Sequence, residues 1–186
     1  NRGINAGQMG LSAQPIFGGP AYFIRNIVYN VPAGSVFKFN IYPAGIYVFH
    51  NTLIGEWRNP PFSNVHVRNN LFIGTDAPGR GLFRNTTYTS YTTFDYNGWR
   101  PNTGDDAQFV WKQSREGRDF ELEDTTGGSW DTLEEFSQAT GFEQHGVLVD
   151  YDSFRNVPMI DHTKPESVYF AKNLDFRLTS DSPAVD

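Results

Sequence analysis

Lys38 is the only lysine among the first hundred residues of this 186-residue chain. An amine that is desolvated or crowded by other cations loses its proton more easily and can serve as a base near neutral pH. Arg84 offers a planar fork that grips a carboxylate through two parallel hydrogen bonds. His66 and His50 are alternative proton-transfer groups, and Arg68 lies two residues beyond His66. Carboxylates are scarce in the same stretch, which holds only Glu56, Asp76 and Asp95. Hydrolysis of a glycoside takes two carboxylates roughly 5–10 Å apart. Asp105 and Asp106 lie next to each other, but outside the segments that repeat. These residue types favour proton abstraction beside a neutralised carboxylate over hydrolysis.

The elements that would position them are announced by a phrase that occurs four times. It reads Ala21-Tyr-Phe-Ile-Arg-Asn26, Ile46-Tyr-Val-Phe-His-Asn51, Val65-His-Val-Arg-Asn-Asn70 and Thr92-Thr-Phe-Asp-Tyr-Asn97, with the asparagines 25, 19 and 27 residues apart. Recurrence at this period marks a solenoid. Val, Ile, Phe and Tyr fill the units and Gly and Pro punctuate the gaps, so the units are strands. Aligned on Asn, Phe23, Val48, Val67 and Phe94 form one inward column, and Val28, Leu53, Phe72 and Trp99 another. Tyr22, Tyr47, His66 and Thr93 then point outward, as do Ile24, Phe49, Arg68 and Asp95. Asn26, Asn51, Asn70 and Asn97 are expected to take the left-handed conformation of a sharp turn and to bond one another in a ladder.

The phrases Tyr47-Val-Phe-His-Asn-Thr-Leu53, Val67-Arg-Asn-Asn-Leu-Phe72 and Phe94-Asp-Tyr-Asn-Gly-Trp99 and the tail Leu174 to Asp186 carry a resemblance. The chain resembles the right-handed parallel β-helix proteins of the pectate-lyase-like superfamily, over most of its length. The resemblance implies an all-β fold, a right-handed parallel β-helix with one short α-helix and an irregular C-terminal tail. It also implies a cleft on the first strand of each coil, here about Gly10–Gln14, Val36–Asn40 and Gly81–Asn85, with Glu56, Trp57 and Arg58 from a short coil between. Lyases of the family use Lys or Arg as base and often Ca²⁺. Lys38 is then the expected base and Arg84 the carboxylate grip, with His66 and Arg68 next. Trp57, Arg58, Arg80, Tyr88, Tyr91, Tyr22 and Tyr47 are the expected substrate contacts, by charge or by stacking on sugar rings. Ca²⁺ is implied by resemblance alone, since no EF-hand loop or metal-ligand spacing occurs.

The net charge of −6 hides a split. Residues 1–100 carry eight Lys and Arg against three acids; the remaining residues carry seven against eighteen. A basic solenoid half suggests an anionic partner, and the absence of any Lys/Arg run argues against nucleic acid. The strands are too short to span a membrane. The absence of Cys removes disulfides and thiolate metal sites.

Residues 1–100 are read as coils. Residues 101–186 are read as the last coils, a capping helix at about 131–140 and a tail packed on the same solenoid. Phe109-Val-Trp111 is a distorted coil or an excursion. Asp131 and Glu134 suggest a capping box, and Gly141 a helix stop. His145, in Gly141-Phe-Glu-Gln-His-Gly146, reads as a structural hydrogen-bonder. Gly10-Leu-Ser-Ala-Gln14 already looks like mid-coil sequence, so the chain is expected to be the C-terminal part of a larger domain, and the missing N-terminal portion or another copy is an expected partner. The functional expectation is a secreted or cell-surface protein that binds and cleaves an acidic polysaccharide by β-elimination. The alternatives are a non-catalytic module for surface binding, adhesion or assembly, and a glycoside hydrolase with catalytic residues partly in an N-terminal portion.

Overall fold

The computed structural model describes residues 1–13, 19–32, 34–39, 44–58, 61–104, 107–121 and 123–185. Three strands make one coil, and the coil repeats. The first coil holds β1 (Arg2–Ile4), β2 (Met9–Ala13) and β3 (Ala21–Ile24). The second holds β4 (Ile27–Tyr29), β5 (Ser35–Phe39) and β6 (Ala44–Phe49). The third holds β7 (Thr52–Ile54), β8 (Trp57–Arg58) and β9 (Ser63–Arg68), and the fourth β10 (Leu71–Ile73), β11 (Phe83–Thr87) and β12 (Thr93–Asp95). β13 (Gly98–Arg100) and β14 (Phe109–Ser114) continue the stack, and β15 (Thr125–Trp130) turns back antiparallel on β14. An α-helix, α1 (Leu133–Thr140), leads to β16 (Val147–Leu148) and to the tail hairpin of β17 (Phe154–Asn156) and β18 (Asp175–Leu178).

Strands in the same position of successive coils pair in parallel. The first position builds a six-stranded sheet, β1-β4-β7-β10-β13-β16, and the third a four-stranded one, β3-β6-β9-β12. The second position runs β2-β5 and then β8-β11-β14-β15, with β5 joined to β8 through Val36 N–H to Glu56 O at 2.9 Å. This is a parallel β-solenoid. Its register follows the Asn alignment: Phe23 pairs with Val48, Val48 with Val67 and Val67 with Phe94. Val28, Leu53, Phe72 and Trp99 form the second inward row. Period-2 alternation turns both of these rows inward. The core is aromatic, with Phe72 stacked on Trp99 at 4.4 Å and Trp57 against Phe72 at 5.5 Å.

Asparagine amides tie the coils together. Asn26 donates its backbone N–H and its Nδ2 to Asn51 Oδ1, both at 2.9 Å. Asn51 repeats this on Asn70, and Asn70 on Asn97, at 2.8–2.9 Å. The left-handed residue is not the ladder Asn but the one before it. Arg25, His50, Asn69 and Tyr96 have φ of 55°, 56°, 56° and 59°. That twist turns the following Asn inward, where its amide is buried and fully used. A left-handed non-glycine residue costs about 1–2 kcal/mol, and each turn offsets this with two or more hydrogen bonds of about 1 kcal/mol net. The ladder is also longer than the repeat suggests: Asn1 Nδ2 donates to Asn26 Oδ1 at 3.3 Å, and Glu143 accepts from Asn97 N–H at 3.2 Å and Nδ2 at 2.6 Å.

α1 begins later than expected. Thr132 is its cap and Glu135 completes the capping box, in place of Asp131 and Glu134, and Gly141 stops it in the left-handed region. Its apolar face, Leu133 and Phe136, lies over the last coils, with Phe136 stacked on Phe109 at 5.2 Å. Phe109-Val-Trp111 is a regular rung of the stack. The tail then runs back along the outer face of the first-position sheet, burying Val149, Phe154, Val157, Ile160, Leu174 and Phe176 against Tyr29, Ile54 and Ile73. It reaches the first coil, where Asn5 exchanges hydrogen bonds with the Tyr169 backbone.

Candidate functional site

The three acids of residues 1–100 are all held inside pairs. Glu56 is buried and meets Arg80 Nη1 at 3.4 Å and the Thr75 hydroxyl at 3.2 Å. Asp76 receives two hydrogen bonds from Arg100, which also binds Asp150 at 2.7 Å. Burial would raise the Asp76 pKa, but the Arg100 hydrogen bonds dominate and hold it below the usual carboxylate range. Asp95 accepts from the backbone N–H and Nδ1 of His145 at 2.9 and 3.0 Å. Its burial opposes ionisation, yet these bonds keep its pKa low.

This sequestration leaves a row of cations on the second-position face. Alternation along β11 buries Phe83, Asn85 and Thr87 and turns Arg84 out. Arg58 on β8 is in register with Arg84 and equally exposed. Lys38 projects half-buried from β5, and Lys112 from β14, two residues along from Val110, the partner of Arg84. Among the described residues none of the four has an ion-pair partner. Adjacent strands are about 4.8 Å apart, so Arg58 and Arg84 stand side by side, and with Lys38 and Lys112 on the neighbouring rungs they form a staggered cationic column, one per rung, in which Lys112 sits two residues further along its strand, opposite Thr86. Lys112 lies in the acidic half of the sequence and was not singled out there. Its signal was the Phe109-Val-Trp-Lys112 alternation once that run is read as a strand.

The other expected site residues are distributed differently. His66 and Arg68 lie on β9, in the third-position sheet, so the four expected catalytic groups do not converge. Both nitrogens of His66 are engaged at 2.8 Å, Nδ1 with the Thr93 hydroxyl and Nε2 with Asn64 Oδ1. Burial, with the Arg68 charge, lowers its pKa, and the neutral ring satisfies both neighbours. It is not a free proton-transfer group. Trp57 is fully buried among core rings, so it cannot stack on a ligand. Arg80 is committed to Glu56.

Tyr22, Tyr47 and His66 do stand outward in one column, as the alignment predicts, but they stack on each other. Ring centroids are 4.9 Å apart for Tyr22 and Tyr47 and 5.2 Å for Tyr47 and His66. Both faces of Tyr47 are therefore covered, and only edges meet solvent, which removes it as a sugar-stacking platform. Tyr91 is exposed, and Tyr88 is half-buried beside the turn that follows β11. Gln14, Asn40, Asp105 and Asp106 lie outside the described residues. His145 holds the β12–β16 connection through Asp95 and stacks on Tyr96 at 4.5 Å, as a structural hydrogen-bonder does. Among the described residues no group of three His, Cys, Asp or Glu could hold a metal ion, and no helix is long and apolar enough to cross a membrane.

Comparison of the chain with protein-family models, curated proteins and solved structures gives no match. The fold and the geometry of its outward faces therefore carry the functional reading.

Proposed function

We propose that this chain binds an acidic polysaccharide along the column Lys38–Arg58–Arg84–Lys112. The supporting observation is the column itself: cations on successive rungs, without described ion-pair partners. A linear polyanion laid along the solenoid axis meets one cation per rung. Guanidinium groups pair with carboxylates in bidentate fashion, and the low charge of the surrounding aromatic core leaves their field unopposed. Within this reading the chain is of the pectate-lyase-like kind, secreted or at a cell surface.

β-Elimination is the reaction this face would support. Lys38 would take the proton beside a uronate carboxylate, Arg84 or Arg58 would neutralise that carboxylate, and the electron pair would form the C=C bond as the glycosidic oxygen leaves. Protonation of that oxygen needs an acid, and no described carboxyl or imidazole lies in the column, so binding is the primary claim and cleavage the extension.

The test is retention on immobilised polygalacturonate, with alginate as a second matrix, under a salt gradient. Retention that falls steeply with salt, and falls at least tenfold in Lys38→Ala/Arg84→Ala, supports the reading. Equal retention of both proteins, each shown folded by circular dichroism, refutes it. Absorbance near 235 nm during incubation decides cleavage: a rise that Lys38→Ala abolishes assigns the base, and a flat trace confines the function to binding.

A further inference from the structure

A groove of about 480 Å³ runs along the solenoid on a different face from the cationic column. Its floor is the outward face of the first-position sheet, where Leu71, Gly98 and Val147 stand in register. Gly98 adds no side chain, so the floor stays low between its two neighbours. The tail strand β18 makes one wall with Phe176 and Leu178. The other wall is a row of turn residues, His50, Asn69, Tyr96 and His145. The first three hold the left-handed position of successive turns, and the His145 ring stacks parallel on Tyr96 at 4.5 Å. With rungs about 4.8 Å apart, three steps along this row cover about 14 Å.

We propose that this groove binds a short, uncharged oligosaccharide. The polar wall selects the ligand. Among the described residues the His50 ring, the Asn69 amide and the Tyr96 hydroxyl have no hydrogen-bond partner, and the His145 ring is held by Asp95 through Nδ1, which leaves Nε2 open. Among the described residues no Lys, Arg, Asp or Glu lines the groove. Amide, phenol and neutral imidazole each donate and accept, whereas a carboxylate only accepts and an ammonium only donates. A row of groups that do both matches hydroxyls, which also do both, and offers no counter-charge to an ion. Phe176 and Leu178 opposite then meet the C–H faces of the sugar rings, an apolar lining with a few convergent polar groups. An extended peptide needs the backbone groups of a strand edge, but this floor is the face of a sheet in which β7, β10 and β13 are each paired on both sides. The groove shares no residue with the cationic column, so the proposal stands whether or not that column binds a polyanion.

The experiment follows the imidazole C–H resonances of the histidines by NMR while cellotriose, xylotriose, mannotriose and galactotriose are added one at a time. At least one of these sugars is expected to shift His50 and His145 saturably. His66 and His162, engaged by Thr93 and Asn64 and by the Thr75 carbonyl, are expected to stay in place. Asn69→Gly tolerates the left-handed turn and removes the central amide, so it is expected to weaken that binding about five- to tenfold, with an unmoved His66 resonance reporting an intact fold. Arg58→Gln/Arg84→Gln is expected to leave the binding unchanged. No saturable shift at His50 or His145 with any of the four sugars overturns the proposal. So does binding lost in the arginine double variant, which would place the sugar on the column. Shifts produced by trigalacturonate or by a capped alanine tripeptide, and by none of the neutral sugars, would assign the groove to an anion or a peptide and would also overturn it.

Discussion

The second- and third-position faces are built from the same coils at the same spacing, yet their outward side chains are used in opposite ways. On the third-position face neighbours satisfy one another: Tyr22 stacks on Tyr47, Tyr47 on His66, and His66 bonds Thr93 and Asn64. On the second-position face like charges stand in register, Arg58 beside Arg84, with no described acid to relieve them. Like charges opposite one another in a sheet are destabilising. The contrast separates a face whose rings are spent on one another from one whose charges stand unpaired.

The ladder gives the sharpest way to break the frame that both faces share. Asn70→Ala leaves the buried Asn51 N–H without its acceptor and takes the Nδ2 donor from the Val48 and Arg68 carbonyls. Each buried unsatisfied group costs about 1–3 kcal/mol, so a loss on the order of 4 kcal/mol is expected in the urea midpoint. The same change at Asn1, exposed and half-used, should shift it by under about 0.5 kcal/mol. Equal effects at the two positions would remove the ladder as the source of coil cohesion.

Glu143 should give the next largest effect. Burial pushes its pKa up to about 7, against the Asn97 hydrogen bonds that favour the ionised form. A group that binds its proton more tightly folded than unfolded contributes stability below its unfolded pKa and loses it as pH rises through the folded value. Stability should thus decline between about pH 4.5 and 7, by up to about 3 kcal/mol. His66 works in the opposite direction, since its lowered folded pKa favours folding as pH rises through the same region. The difference between the pH profiles of the wild type and Glu143→Gln isolates the Glu143 part. Parallel profiles would contradict the assignment.

A smaller effect sharpens the contrast between faces. Arg84→Gln should raise stability by a few tenths of a kcal/mol by relieving Arg58, while lowering polyanion affinity. On the other face, His66→Ala should lower stability by about 1–2 kcal/mol by stranding Thr93 and Asn64, and leave affinity unchanged. Thermal melts and the polygalacturonate column read both.

The repeat made the fold legible because one alternation rule sets both core columns, and the register of Phe23, Val48, Val67 and Phe94 follows from aligning the asparagines. The site was legible only in part. The outward position of Arg84 follows from alternation along β11, but Trp57 was expected to contact substrate along with Arg58, because a two-residue strand carries no alternation of its own. Arg80 and Glu56 pair across 24 positions that no local pattern connects. Glu143 was invisible because it closes the ladder from beyond a helix, 46 residues after Asn97. Stacking between Tyr22, Tyr47 and His66 follows from register, whereas its consequence, that ring faces are spent on one another, needs the ring geometry.

The most direct test of the cationic column compares two double variants of equal charge. Arg58→Gln/Arg84→Gln removes two rungs of the column, and Arg25→Gln/Arg68→Gln removes two exposed cations elsewhere on the solenoid. Affinity for polygalacturonate at a fixed, moderate ionic strength is the quantity to measure. A loss of tenfold or more in the first variant, with less than twofold in the second, is the predicted result. Equal losses in the two would mean that net charge alone attracts the polymer and that the column is not its site.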